Sequence, residues 1–521
     1  MERTLLLWML ALTGSIAQAQ TPFANVYEAP SDTTSVWYNG GRVALRPDSG
    51  FTVLGSARFN SPDPKIIYVD RIDADGSPLR HDRYRFAQDT VFLYSASASS
   101  TAGSLLVGEL DRNAFLMRVA DDGTPVSAIA YDDPDPLMTR NQWFKAVPLP
   151  DDSLLLVGRA SFFPSKALFA KSDTNGRVSR GDYLIINNLP TAFLGAAPLA
   201  NGDVLAWGGA GTLLGGAIQT TSYENIARIA PDGTVLWAER VQGSLTSNLF
   251  ASGAVELSDG TLRIGLSYRP AGQNNILPSV LALESDGSLI YWKVYPDIVC
   301  NVGGAIPANN DGMLMVGSGQ GALRFLSVDA TGAIVSAGEL SATMSQQAFI
   351  ADASGAPVIS GLTPTVPFRH IMIRGTGAFA ACGVVPLTST VQSLTPTIDD
   401  DWVRTTVVFD TVDVTASITH STWLLTDSAL CPGIITGSTD HMQRTGKAWP
   451  VPASDVLWVD LPEGTTARGV DVIDALGRRA AKGWTVDAGR VRLSVDDLRP
   501  GAYTLRIRSI EGDLSVRFLK E

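Results

Sequence analysis

FTVLG (51–55), SLLVG (104–108), LLLVG (154–158), VLAWG (204–208), TLRIG (261–265), MLMVG (313–317) and PVISG (357–361) are one apolar pentapeptide written seven times. Successive closing glycines are 44 to 57 residues apart. A second marker keeps the same count: Asp75-Gly76, Asp122-Gly123, Asn175-Gly176, Asp232-Gly233, Asp286-Gly287, Thr331-Gly332 and Thr376-Gly377. Each unit reads as an apolar strand, a turn, the glycine-ended strand, then a third strand closed by this second turn.

In the fourth unit the spacing predicts strands over 193–199, 203–207, 225–230 and 234–241. Four short strands with a period near 50 describe one blade of a β-propeller. A solenoid of the same period would lack the second hairpin turn. Near-continuous apolar runs such as 154–157 fit strands buried on both faces, as between stacked blades. Asp-Gly and Asn-Gly pairs supply the positive φ of tight hairpins. The expected fold is all-β: a seven-bladed propeller over 20–385, a β-rich connecting segment over 386–449, and a small β-sandwich over 450–521.

The first 19 residues read as a signal peptide. Arg3 gives a positive start, residues 5–12 (LLLWMLAL) an apolar core, and Ala17-Gln18-Ala19 a small-x-small cleavage site. No cysteine follows that site, which argues against a lipid anchor, and no later run has the length of a membrane span. Residues 450–521 carry 11 Lys/Arg and 11 Asp/Glu, so the formal charge of −12 sits upstream. Within them, Val491, Leu493 and Val495, and then Tyr503, Leu505 and Ile507, alternate with the period of half-buried strands.

Four motifs in this tail run in order: Pro450-x-Pro452-Ala453 leading to Asp455-x-Leu457; Val472-Ile473-Asp474-Ala475-Leu476-Gly477-Arg478; Leu498-x-Pro500-Gly501-x-Tyr503-x-Leu505-x-Ile507; and Arg517-Phe518-Leu519-Lys520. The segment resembles the type A C-terminal sorting domain of the type IX secretion system, with Val451 where that family commonly has Asn. The resemblance implies an immunoglobulin-like sandwich whose motif residues include Pro452, Asp474, Gly477, Arg478, Gly501 and Tyr503. It also implies the type IX machinery as a partner and a secreted or outer-surface location.

The acidic balance, with a pI near 4.9, excludes nucleic acid and anionic membrane surfaces as main partners. Four histidines (His81, His370, His420, His441) are scattered without carboxylate spacing. Gly317-Ser318-Gly319-Gln320-Gly321-Ala322 mimics a dinucleotide loop, but Leu323, Phe325 and Val328 continue as a strand. Asp132-Asp133-Pro134-Asp135 and Asp399-Asp400-Asp401 read as solvated loops rather than Ca²⁺ ligands. No cofactor, metal or catalytic residue is assigned. Cys382 and Cys431 are expected to form a disulfide in an exported chain, leaving Cys300 as a buried thiol.

The leading functional reading is a non-enzymatic exported propeller that binds an extracellular glycan or protein. The alternatives are a polysaccharide lyase or hydrolase, which needs a carboxylate pair or a His/Tyr/Arg set near the axis, and a structural surface protein. In an antiparallel blade the second connection and the interblade link emerge at one end, and here these are the variable loops. Variable loops on a rigid scaffold carry function, which singles out Arg58, Arg112, Trp143, Arg159, Phe162, Tyr223, Tyr268 and Arg269.

Overall fold

In the computed structural model of the chain, residues 23–521 are described except 29–36, 47, 59–65, 87–90, 99–102, 133–139, 161–164, 187–189, 210–211, 215–216, 220–222, 244–247, 309–310, 341–344, 353, 363–369, 376–384, 424–425, 430–443, 446–447, 450–452, 462–466, 475–478, 481–482, 488 and 510–513. The chain divides into two compact units, 1–430 and 431–521. The signal-peptide residues, Phe162, Cys382, Cys431, Pro452, Gly477 and Arg478 lie outside the described residues.

Among the described residues, the first unit carries seven five-stranded antiparallel sheets. Their first strands are Trp37–Leu45, Val91–Ala98, Asn141–Pro148, Gly195–Pro198, Asn248–Glu256, Asn301–Ala308 and Ser345–Ala351. Each touches the first strand of the sheet before and after it, and Trp37–Leu45 touches Ser345–Ala351, so the inner strands close a ring. We number the blades 1 to 7 in that order. Blade 7 takes its fourth strand from the other end of the unit: Phe23–Glu28 pairs antiparallel with His370–Arg374.

Seven apolar clusters fill the seven spaces between blades. Leu54 and Leu106 share the first, Val157 and Val204 the third, and Phe51 and Met372 the one that closes the ring. This explains the uninterrupted apolar pentapeptides: both faces of each second strand meet a neighbouring blade, as in Ser104–Leu110, where all residues are buried. Each such Leu, Ile or Val contributes about 1.5–3 kcal/mol. The third turns are five-residue loops in which the glycine takes positive φ, as at Gly76 (88°) and Gly123 (81°). Tyrosines fasten these turns to the preceding blade. The hydroxyls of Tyr27, Tyr84 and Tyr131 donate to the carbonyls of Gly76, Gly123 and Gly176, each at 2.7 Å.

The stretch expected as a separate connecting segment is divided by the structure. Its strands up to Thr426–Ala429 lie within the first unit and form a belt. Val385–Pro386 pairs with blade 6, Gln392–Leu394 with blade 5, Thr397–Asp399 with blade 4 and Trp402–Val407 with blade 3. Asp410–Asp413 then pairs with blade 2, Ile418–Trp423 with blade 1 and Thr426–Ala429 with blade 7. One segment therefore visits every blade in reverse order and adds the fifth strand to each. It covers the edges that four-stranded blades would leave open to other chains. Phe409 packs edge-on against Tyr131 and Trp143 at 6.2 and 5.8 Å between ring centres. A side chain at Gly181 would collide with that ring, 2.5 Å from an added Cβ.

The second unit is a two-sheet sandwich, one sheet centred on Ala467–Asp474 and Gly501–Ser509, the other on Val456–Asp460 and Arg490–Ser494. Val491, Leu493, Val495, Leu505 and Ile507 fill its core. Asp474 and Tyr503 are strand partners, and the Tyr503 hydroxyl donates to the Arg499 carbonyl at 2.9 Å.

Candidate functional site

The inner strands are irregular at one shared level. The pairing of the first strand with the second slips at Gly40/Arg42, Leu93/Ser95, Trp143/Lys145, Ala251/Gly253, Val302/Gly304 and Ser345/Ala348. Such bulges re-aim side chains, and here they border the axial channel, a cavity of about 820 Å³ with residues from all seven blades in its wall. The residue after the slip is Arg42, Ser95 and Lys145 on blades 1 to 3, but Gly253, Gly304 and Ala348 on blades 5 to 7. The two cations of the described channel wall thus both lie on blades 1 and 3.

Arg42 and Lys145 are the charged residues among the described channel-lining ones. Arg42 is open to the channel's water yet walled by protein, and burial lowers its pKa. The Lys145 ammonium donates to the Ala96 carbonyl at 3.3 Å. Burial, and then the Arg42 charge, lower its pKa to about 8.

Beside them on blades 2 and 3, the rings of Tyr94 and Phe144 face each other at 4.5 Å and 31°. Behind these rings a polar network is closed. Arg140 donates twice to Glu109, at 2.8 and 2.7 Å, and Gln142 donates to Glu109 at 2.6 Å and to the Tyr94 hydroxyl at 2.7 Å. Arg159 donates to the Gln142 carbonyl at 2.6 Å and lies 5.6 Å over the Phe144 ring. Burial, reinforced by Glu109, raises the Tyr94 hydroxyl above the ordinary phenol range. The arrangement sets two aromatic rings next to two cations that have no carboxylate partner among the described residues.

The loop-based expectations divide. Arg159 is in this network. Arg112 is exposed in the turn of blade 2, with φ of 74°, and its carbonyl accepts from the Asn141 amide at 2.6 Å. Trp143 is fully buried, and Tyr268 is 9% exposed and packed on Trp292 at 5.2 Å, so both rings are core between blades rather than surface anchors. Their positions at loop edges misled because the strand ends there are still covered by the next blade. Tyr223 is half-buried under Arg240, at 4.3 Å, with its hydroxyl donating to the Pro190 carbonyl at 3.2 Å. Arg269 is half-buried at the end of Leu262–Arg269, away from Arg159's network, and Arg58 ends Phe51–Arg58.

Arg42, Tyr94, Phe144 and Lys145 were missed. One signal was available: Arg42 and Lys145 each stand thirteen residues before a pentapeptide glycine, so they occupy equivalent sites in two units. His81 and His420 both lie in strands, Pro78–Phe86 and Ile418–Trp423. His81 hydrogen-bonds Asp70 in a buried pair, and His420 of the belt bonds Asp82 at 2.9 Å. Cys300 is a buried free thiol whose pKa burial pushes up to about 12. Among the described residues no group of His, Cys, Asp and Glu could hold a metal ion, and no helix is long and apolar enough to cross a membrane.

Residues 447–521 match the family described as the secretion system C-terminal sorting domain. No curated protein gives a match. Among solved structures the chain is similar to the Dos1 propeller (10% identity, TM-score 0.43, covering 68% of this chain and 94% of that one). It is also similar to a protein from Lactobacillus plantarum (13%, 0.40, 60% and 94%). A third likeness is to PorZ, a surface component of the type-IX secretion system of Porphyromonas gingivalis (10%, 0.23, 92% and 81%). All three scores are below 0.5, and the ring rests on its own strand pairing. The chain is a propeller-fold protein that carries a type IX sorting tail and is secreted or displayed at the cell surface.

Proposed function

We propose that the ring is a non-catalytic binding module that takes an extracellular glycan into its axial channel. In this reading residues 1–19 are the export signal, the ring is the delivered module and the tail is its address to the type IX machinery. The observation that carries the reading is the rigid Tyr94–Phe144 pair at the wall of a cavity of about 820 Å³. Concave sites with aromatic faces and a few fixed polar groups are the usual form of small-ligand sites. The confined channel favours a slender chain over a folded protein surface, which separates the glycan from the protein alternative.

The test is a glycan array probed with the purified full chain, alongside a polysaccharide degradation panel. The expected result is selective capture that Phe144→Ala abolishes, with no cleavage products. Release of shortened oligosaccharides would replace this reading with the enzyme alternative. Capture unaffected by Phe144→Ala would move the site out of the channel.

A further inference from the structure

We propose that the channel's ligand is acidic: a sugar chain bearing uronic-acid carboxylates, one of which sits between Arg42 and Lys145. This rests on the glycan reading above and adds the charge of the ligand to it. The first ground is charge placement. In a chain of net charge −12, the described channel wall holds two cations and no carboxylate. Elsewhere in the ring, several half-buried arginines have counter-ions: Arg140 has Glu109, Arg228 has Asp203, and Arg404 has Asp182, while Arg240 and Arg263 are held by backbone carbonyls. Arg42 has no hydrogen-bond or ion-pair partner among the described residues, and Lys145 has only the Ala96 carbonyl.

Two like charges held together without an anion is a costly arrangement, since each disfavours the other's charged form. A bound carboxylate removes that cost, accepting two hydrogen bonds from the planar guanidinium and one from the ammonium. Burial and the neighbouring Arg42 charge both disfavour the Lys145 ammonium, and an anion beside it would reverse that. The second ground is space. Gly253 and Ala348 line the channel on blades 5 and 7, and the cavity of about 820 Å³ leaves room for a sugar ring rather than a bare ion. The third is the adjoining Tyr94–Phe144 surface, on which the apolar face of a pyranose can lie.

The test titrates the full chain by calorimetry with trigalacturonate, with a hyaluronan tetrasaccharide, and with the methyl ester of trigalacturonate, which keeps the sugar and removes the charge. At least one acid should bind, and the ester at least tenfold more weakly. Arg42→Gln and Lys145→Met should each weaken the acid tenfold or more, and Phe144→Ala should weaken acid and ester together. Acid affinity should be level below pH 8 and fall up to tenfold per unit above it, because the bound ammonium must then be paid for with a proton. Lys145→Met should abolish that slope. In the protein without substitutions, NMR of reductively methylated lysines should show the Lys145 titration move upward when the acid is added, a readout independent of any variant's folding. Equal binding of acid and ester, insensitive to Arg42→Gln, overturns the acidic ligand and leaves the glycan reading standing. Failure of both acids while neutral glycans bind does the same. Failure of every glycan on the array overturns both. Inorganic sulfate or an aspartate-rich peptide binding as tightly as the acidic sugars overturns the assignment to a sugar.

Discussion

The inner strands and the belt are the two edges of the same seven sheets, and they treat charge in opposite ways. At the outer edge of blades 1 and 3, buried carboxylates are answered. Asp182, buried on blade 3, accepts from Arg180 at 3.0 Å and from Arg404 and Thr406 of the belt at 2.7 and 3.0 Å. Asp82 on blade 1 accepts from Arg80, His420 and Thr422 at 2.6, 2.9 and 3.0 Å. At the inner edge, the pairing slips and the cations of blades 1 and 3 stand without a carboxylate. On blades 1 and 3 the outer edge satisfies its buried carboxylates within the fold, whereas the inner edge carries two cations that have no carboxylate among the described residues.

Four experiments would break or sharpen this contrast. The largest effect belongs to the belt as a whole. Deleting residues 385–429 uncovers seven strand edges, and the protein should be lost from the monomer peak in size-exclusion light scattering; a stable monomer would show that the belt is ornamental. Next is Asp182→Ala, which strips the partner from Arg404 and should cost about 3 kcal/mol in urea unfolding. Thr405→Ala, on the exposed side of the same strand, should change little.

Smaller is a pH effect at the belt's one acidic clash. Burial, then Asp400 and Asp286, raise the Glu239 carboxyl to about 7. The folded protein therefore holds a proton that the unfolded chain releases nearer the ordinary carboxylate range, and stability should fall as pH rises from 5 through 7. Glu224, raised well above its ordinary value by burial, adds to the same trend. Glu239→Gln should flatten the fall in part, seen as Tm against pH, and an unchanged slope would refute the assignment. Smallest is Arg42→Ser, which should shift stability by no more than about 0.5 kcal/mol, and upward if at all. A large loss would mean that the inner edge is structural like the outer one.

The ring was legible because burial on both faces writes itself as pentapeptides of mostly apolar residues, and because glycine marks the third turn of blades 1 to 6; the seventh marker, Thr376-Gly377, lies outside the described residues. The belt was not, for a physical reason. Its strands are as short as Val385–Pro386 and Thr397–Asp399, and lying on an outer edge they expose one side, as Val403 and Thr405 do. Nothing in such pieces repeats, because each is fitted to a different blade. The channel was hidden by the opposite fault. Arg42 and Lys145 are single cations on strands whose counterparts in other units carry serine, glycine or alanine, so a reading that sought variety in loops passed over variety in strands. Trp143 shows the converse error: an aromatic at a loop edge whose ring is spoken for by Tyr131 and Phe409.

Blade 7 sets the order of assembly. Its sheet joins Phe23–Glu28 to strands that begin roughly 340 residues later, and then to Thr426–Ala429 at the end of the belt. Blades 1 to 6 can form from contiguous chain as it is made, each within a local stretch. The seventh has to wait for both ends of the unit, against a loop-closure entropy on the order of 5 kcal/mol. Until His370–Arg374 is made, the first-formed strand has neither of its neighbours, and Thr426–Ala429 supplies the second. The ring closes when Ser345–Ala351 meets Trp37–Leu45, and the sheet that does so is completed only by strands from both ends of the unit.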